Sequence, residues 1–279
     1  MRKKRHLGKV LGTAGVLAVC AAAKTMYIVA PGRIDEAKKK EFRGRNIAHR
    51  GLHSSENGIP ENSLAAFDLA AESGYGIELD VRLTADGRVV VFHDEDTERI
   101  CGVPGSVSDM TWSELKKLRL LGTSQSIPLF SEVLSTIDGR GPIVVEIKRC
   151  QNNRELCERT LEMIRCYSGS ICIESFDPTI VAWFRKKAPD ILRGQLTCPC
   201  AGMKGEAPMV AAFLMAHGLL NFITRPHFIA HSIGKKSILI KLSEKMGAMR
   251  AAWTVRNDSY EESNDIVIFE GYKPRVRFR

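Results

Sequence analysis

Aromatic side chains are scarce in this sequence, and no glycine-rich phosphate loop follows its first apolar run. Phe, Trp and Tyr together make up 7% of the 279 residues. Nucleic-acid-binding domains often combine aromatic with basic side chains in recognisable motifs, and no such motif is present. The missing G-x-G-x-x-G motif also argues against an open sheet that binds a dinucleotide. The sequence therefore disfavours nucleic-acid binding and dinucleotide binding.

The cysteines follow neither a disulfide pattern nor a zinc pattern. The chain has eight cysteines, which is too few for a disulfide scaffold in a protein of this length. One residue separates Cys198 from Cys200, and this spacing matches neither a C-x-x-C redox motif nor half of a paired zinc motif. We expect reduced structural thiols, which weakly favours a reducing compartment.

Positive charge exceeds negative charge, with a formal net charge of +9 and a pI near 9.2. Much of this excess lies at the two ends of the chain, where it suits an anionic membrane surface or an anionic substrate at least as well as nucleic acid. The composition, with 44% hydrophobic and 26% charged residues, is that of a globular protein with ample core and indicates no obligate protein partner. The basic residues at the ends are Arg2, Lys3, Lys4, Arg5, Arg275, Arg277 and Arg279.

The first 30 residues combine a basic start with a long, weakly apolar stretch. They fit a cleaved signal peptide that ends at the small residues 21–23, a lipoprotein signal modified at Cys20, or an uncleaved membrane anchor from Leu7 to Ala30. The anchor is long enough to cross about 30 Å of hydrocarbon at about 1.5 Å per residue, and we favour it. The prediction is a membrane-associated protein with one N-terminal span. Its orientation stays open, because basic residues flank both sides.

The predicted organisation has three parts. Residues 1–30 form the anchor or signal-like segment, residues 31–45 form a polar and partly helical linker, and residues 46–279 form one catalytic barrel domain. About 200–250 residues are usual for a barrel of alternating strands and helices, which fits the length of the third part.

Three short apolar runs near the start of this domain each end in residues that can do chemistry. An apolar run that closes on polar side chains is typical of a buried parallel strand whose carboxyl end opens onto a site. We therefore expect these polar residues to meet at one rim. The runs are Ile47-Ala48 before His49-Arg50-Gly51, Gly76-Ile77 before Glu78-Leu79-Asp80, and Val89 to Phe92 before His93-Asp94.

Strands and helices alternate along most of the remaining chain, which predicts a parallel sheet closed into a (β/α)8 barrel. The runner-up is an open doubly wound sheet. A tight turn at Thr84–Gly87 departs from the alternation, because it joins two strands directly. The predicted strands are 47–48, 76–83, 88–92, 142–148, 170–176, 192–197, 221–224 and 249–255.

Three acidic residues at predicted strand ends indicate a metal site. Glu78 and Asp80 are two residues apart on one strand, so both side chains point to the same face. The two carboxylates repel each other unless a cation lies between them, and Glu146 at the end of another strand can supply a third ligand. All-oxygen ligation predicts one divalent cation, Mg²⁺ or Ca²⁺, rather than zinc.

Two histidines and two basic residues complete the predicted site. His49 and His93 both close strands, and imidazole exchanges protons readily near neutral pH, so the pair can provide one base and one acid. Arg50 and Lys148 add positive charge that can hold an anionic group. A metal, two basic residues and an acid–base pair together predict phosphoryl chemistry on a diester.

The sequence resembles the glycerophosphodiester phosphodiesterases, through motifs spread in order over nearly the whole predicted domain. The motif PENS departs from the commoner PENT of that family but keeps a hydroxyl. The matching motifs are HRG at His49 to Gly51, PENS at Pro60 to Ser63, IELDV at Ile77 to Val81, T-x-DG at Thr84 to Gly87, VVVFHD at Val89 to Asp94, IPLFSEVL at Ile127 to Leu134, EIK at Glu146 to Lys148, SF at Ser175-Phe176 and AWTV around Trp253.

This resemblance implies a metal-dependent (β/α)8 barrel that hydrolyses a glycerophosphodiester to glycerol 3-phosphate and an alcohol. It also implies a short insertion after the third strand, within Glu95 to Leu129. It implies the following roles: His49 and His93 as general base and acid, Glu78, Asp80 and Glu146 as metal ligands, Arg50 and Lys148 as phosphate contacts, and Trp253 as the apolar wall beside the glycerol.

Two alternatives stay open at this point. One is cleavage of lysophospholipids in the manner of a phospholipase D, by the same mechanism. The other is a catalytically silent barrel that binds lipid head groups, although no metal ligand or histidine is missing from the motifs. Residues 153–208 match the family only loosely, so the leaving alcohol is not defined by the sequence.

Overall fold

Eight parallel strands close into a barrel, as predicted, in the computed structural model, which describes residues 2–203 and 209–279. The strands are β1 (Arg45–Ala48), β2 (Gly76–Leu83), β3 (Val89–Val91), β4 (Ile143–Ile147), β5 (Ile171–Ser175), β6 (Leu192–Thr197), β7 (Phe228–Ser232), β8 (Met249–Val255) and β9 (Ile266–Phe269). Strand β1 pairs with β2 on one side and with β9 on the other, which closes the ring. Strand β3 pairs antiparallel with β2 outside the ring.

Helices surround the ring, and their sequences explain where they begin. Helix α3 is one example, because the Ser63 hydroxyl caps it by accepting a hydrogen bond from the Ala66 N–H at 3.2 Å. The helices are α1 (Arg2–Val29), α2 (Glu36–Lys40), α3 (Leu64–Glu72), α4 (Glu98–Cys101), α5 (Trp112–Leu115), α6 (Phe130–Ile137), α7 (Asn153–Cys166), α8 (Pro178–Lys187), α9 (Met209–Ala216), α10 (Asn221–Thr224) and α11 (Ile238–Lys245).

Apolar side chains fill the amino-terminal half of the barrel interior, and charged ones lie above them. Phe42, which precedes β1 and is 2% exposed, packs into the apolar cluster. The inward positions that follow on β2, β4 and β5 are acidic. The core therefore supports a polar layer at the carboxyl ends of the strands. Members of the apolar cluster are Phe42, Ile47, Val144, Cys172, Leu192, Leu196, Phe228, Ala230, Met249, Ala251, Ile266 and Ile268.

The strand predictions were wrong near the end of the chain. Residues Asn221–Thr224 form the one-turn helix α10, because the Asn221 amide donates to the Val29 carbonyl at 3.3 Å and to the Ser243 hydroxyl at 3.2 Å. The strand at this position in the ring is instead β7. Strand β9 was not predicted at all, since no α-helix separates it from β8 in the described residues 256–265 and the alternation breaks there. With β7 and β9 in the ring and β3 outside it, the ring has eight parallel strands.

The predicted membrane anchor and single-pass localisation are wrong. Among residues 2–203 and 209–279, no helix combines the length and the apolar character needed to cross a membrane. Helix α1 has 28 residues, but glycine, alanine and threonine are frequent in its sequence and Lys9 and Lys24 interrupt it. Its carboxyl end packs on the barrel, where Val29 is fully buried and Arg225 donates to the Tyr27 carbonyl at 2.8 Å.

The segment predicted as a linker, residues 31–45, contacts the amino-terminal face of the barrel. It contains helix α2, whose Lys39 is 6% exposed, and the core residue Phe42. Arg45 already belongs to β1. The domain boundaries at residues 30 and 45 stay predictions.

The insertion after β3 has a small core of its own. It carries helices α4 and α5, and the turn before β3 is tight, with the Gly87 N–H donating to the Thr84 carbonyl at 3.0 Å. The insertion lies beside the mouth of the barrel through α4, whose Arg99 reaches the site described below. In this core, Val90 of β3 and the following Phe92 pack with the insertion residues Ile100, Val107, Leu115, Leu120 and Ile127.

Candidate active site

A tight backbone turn places His49 and Arg50 over the mouth of the barrel. Arg50 has φ 54° and Gly51 has φ 81°, both in the left-handed region. At Gly51 a Cβ atom would lie 2.8 Å from the backbone carbon of Ala66 in α3. Glycine is required here, because both the backbone angle and the close approach of α3 exclude a side chain.

Three carboxylates converge at this mouth, as the sequence predicts. Glu78 and Asp80 lie on β2, and Glu146 on β4 is the register partner of Asp80. One carboxylate oxygen from each residue lies within 4.8 Å of the other two, and all three residues are buried. This arrangement of hard oxygen donors can hold a divalent cation.

The electrostatics of the three acids also fit a cation. Burial raises the pKa of Glu78 well above its usual value, and the neighbouring Asp80 and Glu146 add to this effect. Burial likewise raises the pKa of Glu146, against the opposing effect of Lys148. For Asp80, burial is outweighed by Lys148, His93 and Arg50, so its pKa is lowered. A bound cation would favour the charged form of every carboxylate here.

His49 is held by a carboxylate on its Nδ1 side. The distance from His49 Nδ1 to Glu270 Oε2 is 2.6 Å, and Glu270 follows the last strand, β9. The hydrogen bond from His49 lowers the pKa of Glu270 to about 2, against the effect of burial. With Nδ1 engaged, His49 Nε2 faces the acids and lies 3.9 Å from Glu78 Oε2.

His93 has the same arrangement. Its Nδ1 lies 2.6 Å from Asp94 Oδ1, and its backbone carbonyl accepts hydrogen bonds from Arg82 at 2.7 and 2.9 Å. Burial lowers the pKa of His93 to about 4, with Asp80 opposing and Lys148 contributing. Burial raises the pKa of Asp94, but hydrogen bonds from Arg99 and His93 dominate and lower it to about 2.

The two predicted phosphate-binding residues lie directly beside the acids. Lys148 Nζ is 2.8 Å from Asp80 Oδ1 and 2.8 Å from Glu146 Oε1. The Arg50 backbone N–H donates to Glu78 at 2.9 Å, and its guanidinium donates to Glu61 at 2.7 Å. Both cations therefore stand at the edge of the acidic cluster.

Trp253, the predicted apolar wall, lies on the far side of the barrel mouth from β2. Its indole N–H donates to the Ala230 carbonyl at 3.0 Å, and its ring meets that of Phe176 edge-on with centroids 5.6 Å apart. The inner side of helix α9 packs against both rings. The mouth thus has a charged side and an apolar side.

Sequence reasoning gave no site role to several residues that the structure places here. Asn62, which has φ 53°, donates to Asp80 Oδ2 at 2.8 Å, and Arg99 joins Asp94 to Glu61. Glu270 directly follows an apolar run, as several other site residues do, but the four-residue run before it was not predicted to be a strand. The residues without an assigned role were Glu61, Asn62, Asp94, Arg99, Glu174 and Glu270.

Fold and site together define a class of protein. A (β/α)8 barrel with three converging carboxylates and two carboxylate-paired histidines at its carboxyl mouth has the features of a metal-dependent phosphoric diester hydrolase. The model of the Glycerophosphoryl diester phosphodiesterase family matches residues 49–273, and the chain belongs to this family.

Curated relatives agree with the family. The protein YhdW of Bacillus subtilis, which is named as a glycerophosphodiester phosphodiesterase, is 32% identical over 220 residues, covering 76% of this chain and 86% of that protein. A glycerophosphodiester phosphodiesterase of Caldanaerobacter subterraneus is 37% identical, covering 54% and 65%. Lysophospholipase D GDPD1 of Rattus norvegicus is 35% identical, covering 49% and 46%. The chain therefore matches less than two thirds of the length of the last two.

Solved structures share the fold. A phosphodiesterase of Oleispira antarctica, described in complex with the product sn-glycerol-3-phosphate, has a TM-score of 0.67 at 22% identity, covering 83% of this chain and 94% of that chain. A glycerophosphodiester phosphodiesterase of Thermotoga maritima has a TM-score of 0.61 at 27% identity, covering 80% and 93%.

Proposed function

We propose that this protein hydrolyses glycerophosphodiesters to sn-glycerol 3-phosphate and an alcohol. Water supplies the new oxygen on phosphorus, the P–O bond to the alcohol breaks, and the alcohol leaves with a proton. Family membership supports this reaction, and so do the relatives that carry the name of this activity. The observation that carries the proposal is the meeting of three acids, two histidines and two basic side chains at one barrel mouth.

The two histidines are proposed as the acid–base pair. Each has a carboxylate 2.6 Å from its Nδ1, which makes Nδ1 the hydrogen donor and leaves Nε2 free to exchange a proton. His49 would accept a proton from the attacking group, and His93 would deliver one to the leaving alcohol. Glu270 and Asp94 orient the two rings. Burial lowers the pKa of His93, and the hydrogen bond to Asp94 opposes this and favours the protonated form that a general acid requires.

We propose that Glu78, Asp80 and Glu146 hold one divalent cation, Mg²⁺ or Ca²⁺. When bound, such a cation supplies positive charge that polarises the phosphoryl group. Asn62 fixes the Asp80 carboxylate by its hydrogen bond of 2.8 Å, so this carboxylate is oriented before the cation binds. Both metals prefer oxygen donors, and the chain offers three here.

Arg50 and Lys148 are proposed to hold the phosphate, and Trp253 to contact the apolar part of the glycerol. Arg50 Nε is buried and lies 3.6 Å from Asp80 Oδ2, but it makes no hydrogen bond to the residues the structure describes, so its N–H can donate to an anionic oxygen. The Lys148 side chain is 11% exposed, which keeps its charge in a poorly solvated environment. Charge in such a place interacts strongly with an anion.

A second candidate function, lysophospholipase D activity, is favoured by one feature of the structure. Helix α9 packs its inner side against Trp253 and exposes an apolar outer side, with Met209 86%, Val210 73% and Phe213 50% exposed. An apolar surface next to the apolar side of the mouth suits the acyl chain of a lysophospholipid. Mammalian relatives named lysophospholipase D agree with this candidate.

A substrate panel tests the two candidates. The full chain is incubated with glycerophosphocholine, glycerophosphoethanolamine or lysophosphatidylcholine, with Mg²⁺, Ca²⁺ or EDTA, and released glycerol 3-phosphate and choline are measured. We expect chelator-sensitive release of glycerol 3-phosphate from the first two. Comparable choline release from lysophosphatidylcholine would establish the second candidate, and no turnover of any diester would refute both.

A surface variant separates the acyl-chain contact from the chemistry. If α9 binds an acyl chain, Phe213→Ser should lower turnover of lysophosphatidylcholine several-fold and leave glycerophosphocholine turnover unchanged. Phe222→Ser on α10, where the side chain is 40% exposed, is the matched control. If Phe213→Ser and Phe222→Ser turn over lysophosphatidylcholine at the same rate, α9 does not bind the acyl chain.

A further inference from the structure

Glu174 is a buried carboxylate that has no role in the site as described so far. It lies on β5 as the register partner of Glu146 on β4, which is in turn the register partner of Asp80 on β2. Register partners on neighbouring strands point to the same face and lie about 4.8 Å apart. The three acids therefore form one row across the barrel interior. Their exposed fractions are 1% for Asp80, 9% for Glu146 and 1% for Glu174.

The other sides of Glu174 are apolar. Its register partner on β6 is Gly194, and the Phe228 ring fills the space there, since a Cβ on Gly194 would lie 2.1 Å from that ring. Cys172, two residues earlier on β5, belongs to the apolar cluster. Phe176, two residues later, packs against Trp253. On its remaining side, Glu174 faces Glu146, its register partner on β4.

One oxygen of Glu174 is left without a partner. Oε2 is buried and makes no hydrogen bond to any residue in the described part of the chain. A buried carboxylate without a hydrogen bond or a cation is strongly unfavourable. The nearby cation Lys148 already contacts Asp80 and Glu146 at 2.8 Å each. A positive group near Glu174 would offset this cost, and the cation site lies at the end of its row.

We propose that Glu174 is a fourth carboxylate of the cation centre, acting on the cation through a bridging water or by direct ligation. The inference rests on the proposed cation centre. Ca²⁺ takes six to eight oxygen ligands and Mg²⁺ takes six, so the three acids leave positions open. The oxygens within 4.8 Å of one another belong to Glu78, Asp80 and Glu146, which makes a water-mediated contact to Glu174 the simpler arrangement.

Cation binding to variants of the full chain tests the proposal. Wild type, Glu174→Gln, Glu78→Gln as positive control and Glu244→Gln as negative control are stripped with chelator and titrated with Ca²⁺ and Mg²⁺ by calorimetry. Glu244 pairs with Lys236 on the outside of the barrel. We expect Glu174→Gln to bind about 10 to 100 times more weakly, the usual effect of losing an outer-shell partner of a metal, and Glu244→Gln to match wild type.

Thermal unfolding separates this role from simple packing. In chelator, Glu174→Gln should have a higher Tm than wild type, because the isosteric amide avoids the cost of burying an unpartnered carboxyl group. On addition of Ca²⁺, its Tm should rise less than that of wild type. A purely structural Glu174 predicts a lower Tm under both conditions, and this result would overturn the proposal.

The remaining outcomes are also decisive. A Kd for Glu174→Gln within twofold of wild type would show that Glu174 does not act on the cation, and it would leave the proposed function intact. A wild-type chain that binds neither Mg²⁺ nor Ca²⁺ would overturn both. If Glu174→Gln does not fold, Glu174→Asp keeps the charge and shortens the reach by one methylene, and unchanged affinity in that variant would count against the proposal.

Discussion

At the scale of single residues, the two histidines of the site depend on acids from different parts of the chain. Glu270 follows the last strand and holds His49, while Asp94 is adjacent to His93 in the sequence. Arg99 then fixes Asp94 and Glu61 together, and Glu61 binds Arg50. The orientation of each imidazole is therefore set by a carboxylate whose own position is fixed.

Replacing Glu270 tests the role of these carboxylates. Glu270→Gln keeps the shape but removes the charge that holds His49 Nδ1, and we expect kcat to fall by about 10²-fold or more with little change in KM. The exposed Glu262→Gln is the matched control from the same end of the chain. A Glu270→Gln enzyme with wild-type kcat would show that His49 needs no such support.

At the scale of elements, several strands were recognised from short apolar runs that end in charged or histidine side chains. Glu78 and Asp80 follow from the two-residue repeat of β2, and the bounds of β2, β6 and β8 match the prediction. Strand β7 was missed because it carries His231 inside it, and β9 was missed because the described residues between it and β8 form only the short turn Asp258–Tyr260 and no α-helix, which breaks the alternation. Glu270 was missed with β9, since its position at the rim depends on that strand.

Contacts between distant residues could not be predicted from the sequence pattern. By residue type, both Asn62 and Ser63 can cap α3. The Ser63 hydroxyl does so, whereas the Asn62 amide donates to Asp80. The pairing depends on the path of the loop before α3, which local propensities do not determine. Glu174 lies inside a predicted strand, and only the strand register shows that it stands beside Glu146.

The turn after β1 gives a test at the element scale. Gly51→Ala meets both a positive φ and the backbone of α3, and we expect it to destabilise the fold by about 1–3 kcal/mol in urea unfolding. Gly58 also has a positive φ, of 66°, but a Cβ atom added there would have no other atom within 4 Å among the described residues. Gly58→Ala should therefore lower the free energy of unfolding by less than Gly51→Ala does. If both substitutions lowered the free energy of unfolding equally, contact between residue 51 and α3 would make no difference to stability.

The insertion is joined to the site through Arg99 of α4. We expect Arg99→Met to lower kcat/KM by about tenfold, because Asp94 and Glu61 lose the guanidinium that connects them. The exposed Arg119→Met, in the same insertion, should behave like wild type. Unfolding curves should change little, since the insertion core contains no part of Arg99. If Arg99→Met has the kcat/KM of wild type, contact between the insertion and the site through Arg99 does not contribute to catalysis.

At the scale of the whole molecule, the barrel separates support from chemistry. Its amino-terminal half is an apolar core closed by Phe42, and ion pairs surround that face. One of these joins Asp190, before β6, to Arg165 of α7 and to Lys38 of α2. The carboxyl half holds the acids, histidines and basic residues of the site. Substitutions at the two ends should therefore affect stability and activity differently.

The pH dependence of the Asp190 pair tests the support face. The hydrogen bond from Arg165 lowers the pKa of Asp190 to about 2, below its unfolded value of 3.8. The stabilisation is therefore present above pH 3.8 and is lost as the pH falls toward 2. Asp190→Asn should lower Tm at about pH 7 by no more than about 4 °C, and the difference should vanish near about pH 2. Activity should not change. A Tm difference between wild type and Asp190→Asn that grew as the pH fell would show that the pair does not stabilise the fold through the charged form of Asp190.

Hydrolysis by a cation centre and His49 is tested by measuring glycerol 3-phosphate released from glycerophosphocholine by wild type, His49→Ala and Glu78→Gln, each with Mg²⁺ or Ca²⁺ and with EDTA. We expect turnover only for wild type with a divalent cation, and a loss of about 10³-fold or more in both folded variants. Turnover that survives EDTA, or a His49→Ala enzyme as fast as wild type, would refute this mechanism.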